Sequence, residues 1–141
     1  MRVINLRPPA HVWDGCDKQF GVAARRGVLF AYGDTIYNPD GITIPPALLA
    51  HEGVHGARQG AMLGGVVAWW DAYLTDPRFR LAEELPAHVV ELRHYLAEAP
   101  SRPARRLHLT AVAKRLASPL YGRLISVDGA KQLLKEQLTL A

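Results

Sequence analysis

The spacing of apolar residues changes near residue 45 of the chain. Before this point, short apolar runs at residues 28–32 and 35–37 flank the dipeptide Gly33-Asp34. Two such runs joined by two residues, with glycine first, are typical of a β-hairpin. The Asn-Pro-Asp-Gly sequence that follows at residues 38–41 is typical of a further turn. We therefore predict that residues 1–45 are rich in strands and form a small antiparallel sheet.

Beyond residue 45, apolar residues recur three and four positions apart, as they do on one face of a helix. The first helix is predicted to begin with Thr43 as its N-cap and to end near Gln59. Glycines inside this helix indicate close packing against another backbone. Further helices are predicted over residues 66–74, 79–98, 104–117 and 128–138.

Two details of these helices depend on single residues. Pro86 interrupts the apolar pattern of residues 79–98, and a proline favours a helix start just before it, near Glu83. Asp128 is the predicted N-terminal cap of the last helix.

Strand signals confined to the region before residue 45 indicate an α+β fold. The chain has 141 residues, of which 49% are hydrophobic and 21% are charged, so it is long enough for one domain with one core. We predict a single domain over residues 1–141. Residues 1–45 supply its strands, residues 46–98 its central helices and residues 104–141 a basic helical cap.

The composition excludes several classes of protein. Cys16 is the single cysteine, so an internal disulfide and a zinc module built on several cysteines are ruled out. Any metal must then be held by His, Asp or Glu, and Cys16 itself is expected to be an inert buried thiol. The longest apolar stretch, residues 61–70, is too short for a membrane span, and the first residues carry no run of signal-peptide length. We expect a cytoplasmic protein with no membrane partner.

The net charge of +4 is unevenly distributed. Residues 102–141 contain eight Lys or Arg and two Asp or Glu. Such a region can meet nucleic acid, an anionic surface or an acidic partner, or it can form the solvated faces of amphipathic helices. Because Tyr121 is the only aromatic residue of this region, we favour solvated faces and do not expect a nucleic-acid partner.

Residues 51–55, His-Glu-Gly-Val-His, match H-E-x-x-H inside the first predicted helix. Residues four positions apart lie on one helical face, so His51 and His55 can bind one metal ion together. Glu52 projects beside them, where it can deprotonate a metal-bound water. The alternative is three polar residues on a solvated face, but the flanking residues 50, 53 and 54 are small or apolar. The motif therefore predicts a metal site with a general base.

A third ligand is expected from a neighbouring element, because a catalytic zinc ion takes three protein ligands and keeps one position open. The candidates downstream of the motif are Asp71, Asp76, Glu83, Glu84, His88, Glu91 and His94.

Two segments, ALLAHEGVHGARQ (residues 47–59) and DPRFRLAEELPAH (residues 76–88), resemble the gluzincin metallopeptidases. In that family the H-E-x-x-H helix is followed by a second helix with a ligand glutamate in an E-x-x-A context. The chain is most similar to small single-domain metallopeptidases that are often encoded by phages and prophages. The resemblance covers residues 28–98 and implies a zincin-like fold with a bound Zn²⁺ ion.

Carried over to this sequence, the resemblance implies that His51, His55 and Glu84 are the zinc ligands and that Glu52 is the base. Glu84 is the matching acid because an alanine follows it three positions later. Its neighbour Glu83 would point about 100° away around the helix, and we expect it to be solvated or paired with an arginine.

His88 is where the chain departs from the pattern it resembles. Glu84, His88 and Glu91 share one helical face, so His88 can orient His51 or His55, stabilise an oxyanion, act as a ligand or simply lie beside the site. Because it lies one helical turn beyond Glu84, we predict that it touches a ligand imidazole or the substrate rather than the metal.

We therefore predict a zinc-dependent hydrolase, in particular a peptidase that acts on a peptide or protein. A protein of another class is the alternative: the zinc site is structural, and the chain is a non-catalytic binding or assembly protein such as a phage particle component, which would be virion-associated. The aromatic residues near the motif are predicted to pack rather than bind substrate: Trp69, Trp70 and Tyr73 in the core, Tyr32 and Tyr37 on the hairpin.

Overall fold

A small sheet lies at one side of the molecule. The structure is a computed structural model that describes residues 1–22 and 25–140. Its strands are β1 (Arg2–Ile4), β2 (Phe30–Tyr32) and β3 (Thr35–Tyr37), in the order β1-β3-β2. β2 and β3 are antiparallel and are joined by the predicted turn, in which Gly33 has a φ of +62°. This confirms the hairpin.

The prediction of a purely antiparallel sheet is wrong, because β1 pairs with β3 in the parallel direction. Parallel neighbours require a crossover between them, and a helix, α1 (Ala10–Phe20), provides it. Residues 1–45 are therefore not simply strand-rich. The sequence carries a helical signal for α1 that the strand prediction overlooks, because three buried apolar residues recur every four positions: Val12, Cys16 and Phe20.

Five helices follow the sheet, close to the predicted ranges. They are α2 (Pro46–Ala61), α3 (Gly65–Thr75), α4 (Pro77–Glu98), α5 (Arg102–Leu116) and α6 (Val127–Thr139), with a 3₁₀ turn at Pro119–Tyr121 between the last two. This confirms the α+β class, with helix predominating. None of the helices in the described part of the chain has the length and apolar character that a bilayer crossing requires.

Three helix starts differ from the prediction. α2 has Pro45 as its N-cap instead of Thr43, and α6 is capped by Ser126, whose hydroxyl accepts the Gly129 N–H, instead of by Asp128. α4 does not start near Glu83. It begins at Pro77, where the Asp76 side chain caps it, and it continues through Pro86, because the buried residues on both sides of the proline hold the helix in place.

Two clusters of buried hydrophobic residues form the core. One joins α1, β2 and α3, and the other joins α4, α5 and α6. The first contains the aromatic residues predicted to be in the core, Trp69, Trp70 and Tyr73, and it also contains Cys16. Tyr32 and Tyr37 pack against each other edge to face, with ring centroids 6.4 Å apart. These packing predictions are confirmed.

Candidate metal centre

Helix α2 is fixed against the hairpin by close contacts at its C-terminal half. A Cβ atom on Gly56 would lie 2.4 Å from the carbonyl oxygen of Gly33, so only glycine allows the two backbones to approach this closely. One turn later, the buried Gln59 accepts the N–H of Gly33 at 2.7 Å and donates to the carbonyl oxygen of Ala31 at 2.9 Å. The glycine signal read from the sequence is thus confirmed at Gly56, whereas Gly60 has open space around it.

The structure brings His51, His55 and Glu84 together between α2 and α4. The two Nε2 atoms are 3.2 Å apart, the His51 Nε2 lies 3.4 Å from the Glu84 Oε2, and the His55 Nε2 lies 3.1 Å from the Glu84 Oε1. A tetrahedral metal ion with bonds of about 2.0–2.1 Å separates its ligand atoms by roughly 3.3 Å. These spacings are close to those between the ligands of one ion, with the two imidazoles facing different oxygens of the Glu84 carboxylate. The three side chains, called the ligand triangle below, form a possible metal-binding group.

The electrostatics of this group favour a cation at its centre. Burial alone would raise the pKa of Glu84, but the adjacent His55 and His51 hold it well below its ordinary value. Burial opposes protonation of His51, yet the adjacent Glu84 carboxylate raises its pKa. In addition, the described residues offer no hydrogen-bond partner to the buried Glu84 Oε2 or His55 Nδ1. These residues fit a bound metal ion.

Two neighbours orient the ligand side chains. The Tyr73 hydroxyl donates to the Glu84 Oε1 at 2.8 Å. The His51 Nδ1 lies 2.9 Å from the Oε1 of the fully buried Glu91. If this nitrogen carries the proton, it donates to Glu91 and leaves the lone pair of Nε2 directed at the metal position.

A second group of possible ligands consists of His51, His88 and Glu91. It is the weaker candidate, because Arg115 of α5 forms an ion pair with Glu91 and so already supplies a positive charge there. Glu91 is one of the seven third-ligand candidates, and its Oε1 lies 2.9 Å from the His51 Nδ1, from which it can accept a hydrogen bond.

His88 is fully buried beside the group. Its ring lies 4.5 Å from the ring of His51, centroid to centroid, and its Nε2 is 3.6 Å from the Glu84 Oε2 and 3.2 Å from the Tyr121 hydroxyl. Burial, and then the charge of His51, lower the pKa of His88 well below its ordinary value. These effects favour the neutral form of His88. Its ring contacts the imidazole of His51, as expected from the sequence if His51 is a ligand.

Glu52 lies beside the ligands on α2 and is also buried. Burial raises its pKa, and the nearby His51 and His55 and a hydrogen bond from the backbone of Ala31 only partly offset this. A carboxylate with a raised pKa is a better proton acceptor at neutral pH.

Glu83 is on the other side of α4 and has a structural role. It accepts hydrogen bonds from Arg58 at 2.6 Å and from the Trp69 indole at 2.5 Å. The predicted arginine partner is confirmed, but the carboxylate is buried rather than solvated. The adjacent residues Glu83 and Glu84 thus make different contacts: Glu83 with Arg58 and Trp69, and Glu84 with the two histidines of the motif.

A cavity of about 220 Å³ borders the candidate site. Glu52 and the three metal-ligand candidates line it together with Leu29 and three residues from the C-terminal region, Arg115, Leu120 and Tyr121. The sequence does not assign these C-terminal residues to the site, because only the packing of α5 and the following 3₁₀ turn brings them there. The sequence signal closest to them was that Tyr121 is the sole aromatic in the basic region.

Comparison with known proteins adds no assignment: no protein family, curated protein or solved structure matches this chain.

Proposed function

We propose that this protein is a zinc-dependent hydrolase with a zincin-like pairing of α2 and α4, and specifically a peptidase. The observation that supports it best is the convergence of the His51 and His55 Nε2 atoms, 3.2 Å apart, on the Glu84 carboxylate, whose Oε2 and Oε1 lie 3.4 Å and 3.1 Å from them, respectively. Beside it lies a buried carboxylate, Glu52, with a raised pKa. These are the parts that metal-assisted hydrolysis requires.

A zinc ion bound there would supply Lewis-acid chemistry, lowering the pKa of a water molecule and polarising a carbonyl oxygen. Glu52 accepts the proton of the water that adds to the scissile carbonyl carbon. It then gives that proton to the leaving amine nitrogen as the C–N bond breaks. If the His88 Nε2–H donates to the Tyr121 oxygen at the cavity wall, the Tyr121 hydroxyl proton is free to donate to the oxygen on which negative charge develops.

The position of β2 favours a peptide as the substrate. β2 is an edge strand, but the carbonyl oxygen of Ala31 already accepts from Gln59 and Trp70. Leu29, directly before β2, lines the cavity, and in an extended chain the backbone groups of residues two positions apart face the same edge. An extended peptide can pair with the chain there, next to Glu52.

The alternative of a structural zinc site in an assembly protein requires a fourth protein ligand, because structural sites are closed. His88 is the nearest candidate, but its Nε2 is engaged by the Tyr121 hydroxyl at 3.2 Å. The ligand set therefore has three members and borders a cavity, which favours catalysis over a purely structural role.

The test is to compare the zinc-loaded wild-type protein with Glu52→Gln on a fluorescence-quenched peptide library of mixed sequence. Glu52→Gln keeps the size of the side chain but cannot accept the proton, so we expect unchanged zinc content and hydrolysis reduced by about 10²–10⁴-fold. The matched control is Glu98→Gln, which makes the same change at an exposed residue at the C-terminal end of α4. This variant should retain full activity.

Two results would count against the proposal. A wild-type protein that holds one zinc ion but cleaves no peptide in the library would favour the non-catalytic assembly protein. Equal cleavage by the wild type and Glu52→Gln would remove Glu52 as the base.

A further inference from the structure

One arginine of the basic C-terminal region lies next to the candidate metal centre. Arg115, in the last turn of α5, forms an ion pair with Glu91, whose side chain is completely buried, while the Arg115 side chain is 41% exposed. Arg115 also lines the cavity. The charged region was interpreted from the sequence as a solvated helical face, and this residue does not fit that interpretation.

The ion pair lies in a chain of contacts that leads to the metal position. Glu91 contacts the guanidinium group of Arg115 through Oε2 and the Nδ1 of His51 through Oε1, at 2.9 Å. The Nε2 on the other side of the His51 ring is one corner of the ligand triangle. Three helices, α5, α4 and α2, are thus connected through three side chains.

We propose that Arg115 is a positioning residue for the metal centre: by compensating the charge of Glu91, it holds the carboxylate that fixes the tautomer and orientation of His51. This inference rests on the proposed metal site. A fully buried carboxylate is costly without a compensating charge. The Glu91 side chain therefore needs Arg115 to remain where it accepts from the His51 Nδ1–H, and outer contacts of this kind tune metal affinity.

The alternative is that Arg115 only helps α5 to pack on α4. Val112, one turn earlier on α5, is buried in the cluster between these helices and has no contact with the metal centre in the described structure. Val112→Ala therefore weakens the same packing without touching the ion pair, and it is the matched control.

The experiment measures zinc affinity by competition with a chromogenic chelator for wild type, Arg115→Met, Arg115→Lys and Val112→Ala. We expect Arg115→Met to weaken zinc binding by about 10–100-fold. Arg115→Lys, which keeps the charge, should recover most of the loss, and Val112→Ala should stay within about twofold of wild type. If Arg115→Met does not fold, Arg115→Gln replaces it with the same expectation.

A second readout does not depend on metal. In NMR spectra of the histidine side chains of the metal-free protein, the His51 Nδ1–H that faces Glu91 should give a slowly exchanging proton signal in the wild type and in Val112→Ala, and Arg115→Met should lose this protection. Unchanged affinity and unchanged Nδ1–H protection in Arg115→Met, or an equal loss in Val112→Ala, would overturn the inference. A wild type that does not bind zinc would contradict the proposed function instead, and the Nδ1–H measurement would still decide the role of Arg115.

Discussion

The hydroxyl group of Tyr73 donates a hydrogen bond to the Glu84 Oε1 across 2.8 Å, and both side chains are buried. Tyr73 belongs to α3 and Glu84 to α4, so a contact between two helices sets the direction of the carboxylate that completes the ligand triangle. From its residue type, Tyr73 is expected to pack in the core, and it does. Its hydroxyl group additionally orients a proposed metal ligand.

Tyr73→Phe removes this hydrogen bond and keeps the ring. The Glu84 carboxylate is then free to rotate, and we expect zinc affinity to fall by about 10–100-fold, measured by chelator competition. Tyr95→Phe is the control, since the Tyr95 ring stacks on His108 away from the site. Zinc affinity that is equal in both variants would show that the hydroxyl does not orient Glu84.

His88→Ala tests the second catalytic residue predicted from the sequence. Because His88 contacts the His51 ring and Tyr121 and is not part of the ligand triangle, we expect the variant to bind one zinc ion while affinity or hydrolysis falls by about 10–100-fold. His94→Ala, exposed on the same helix, should behave like wild type. Complete loss of zinc in His88→Ala, with Glu84→Ala still metallated, would mean that His88 is the third ligand.

Two glycines of α2 give opposite predictions for the same substitution. Gly56→Ala places a methyl group 2.4 Å from the Gly33 carbonyl oxygen, so the hairpin must shift, and we expect a loss of about 1–3 kcal/mol in the free energy of unfolding. At Gly60 nothing lies within 4 Å, and Gly60→Ala should stabilise the helix by up to about 1 kcal/mol. Urea denaturation measures both, and equal effects would contradict the close approach of α2 and the hairpin.

The thiol of Cys16 predicts a pH dependence of stability. Burial raises its pKa to about 12, with a smaller opposing effect from Arg80. Between its ordinary value of 9.0 and the raised value, the thiol ionises in the unfolded chain but not in the folded protein, so the unfolded state is favoured as pH rises through this range.

We expect the difference in unfolding free energy between wild type and Cys16→Ala to change by roughly 1 kcal/mol from pH 8 to pH 10, to the disadvantage of the wild type. Urea denaturation of both proteins at the two pH values measures it. A difference that does not depend on pH would show that the thiol is not shielded from solvent.

The sequence predicts those parts of the fold and site that depend on local spacing. The i, i+4 spacing of His51 and His55 places them on one face of a helix wherever that helix packs, and the same holds for Glu84, His88 and Glu91 on α4. The turn at Gly33-Asp34 is equally local, because the φ of +62° at Gly33 favours glycine over residues that carry a side chain.

The parts that sequence analysis missed depend on packing between distant segments. β1 joins the sheet in parallel because α1 carries the chain back across it. The core residues of α1 do have helical spacing, but no local pattern gives the direction in which β1 pairs. Arg115 is one of eight basic residues in the last forty positions, and nothing in their spacing distinguishes it. Its ion pair with Glu91 follows from the way α5 packs on α4.

We propose that His51, His55 and Glu84 hold one metal ion and leave a position open toward the cavity. Anomalous diffraction at the zinc absorption edge, on crystals of the zinc-loaded protein, tests this arrangement. We expect a single peak within about 2.0–2.2 Å of the two Nε2 atoms and a carboxylate oxygen of Glu84, with no fourth protein ligand. A peak bound by His88 and Glu91, a fourth ligand that closes the site, or no peak at all would contradict it.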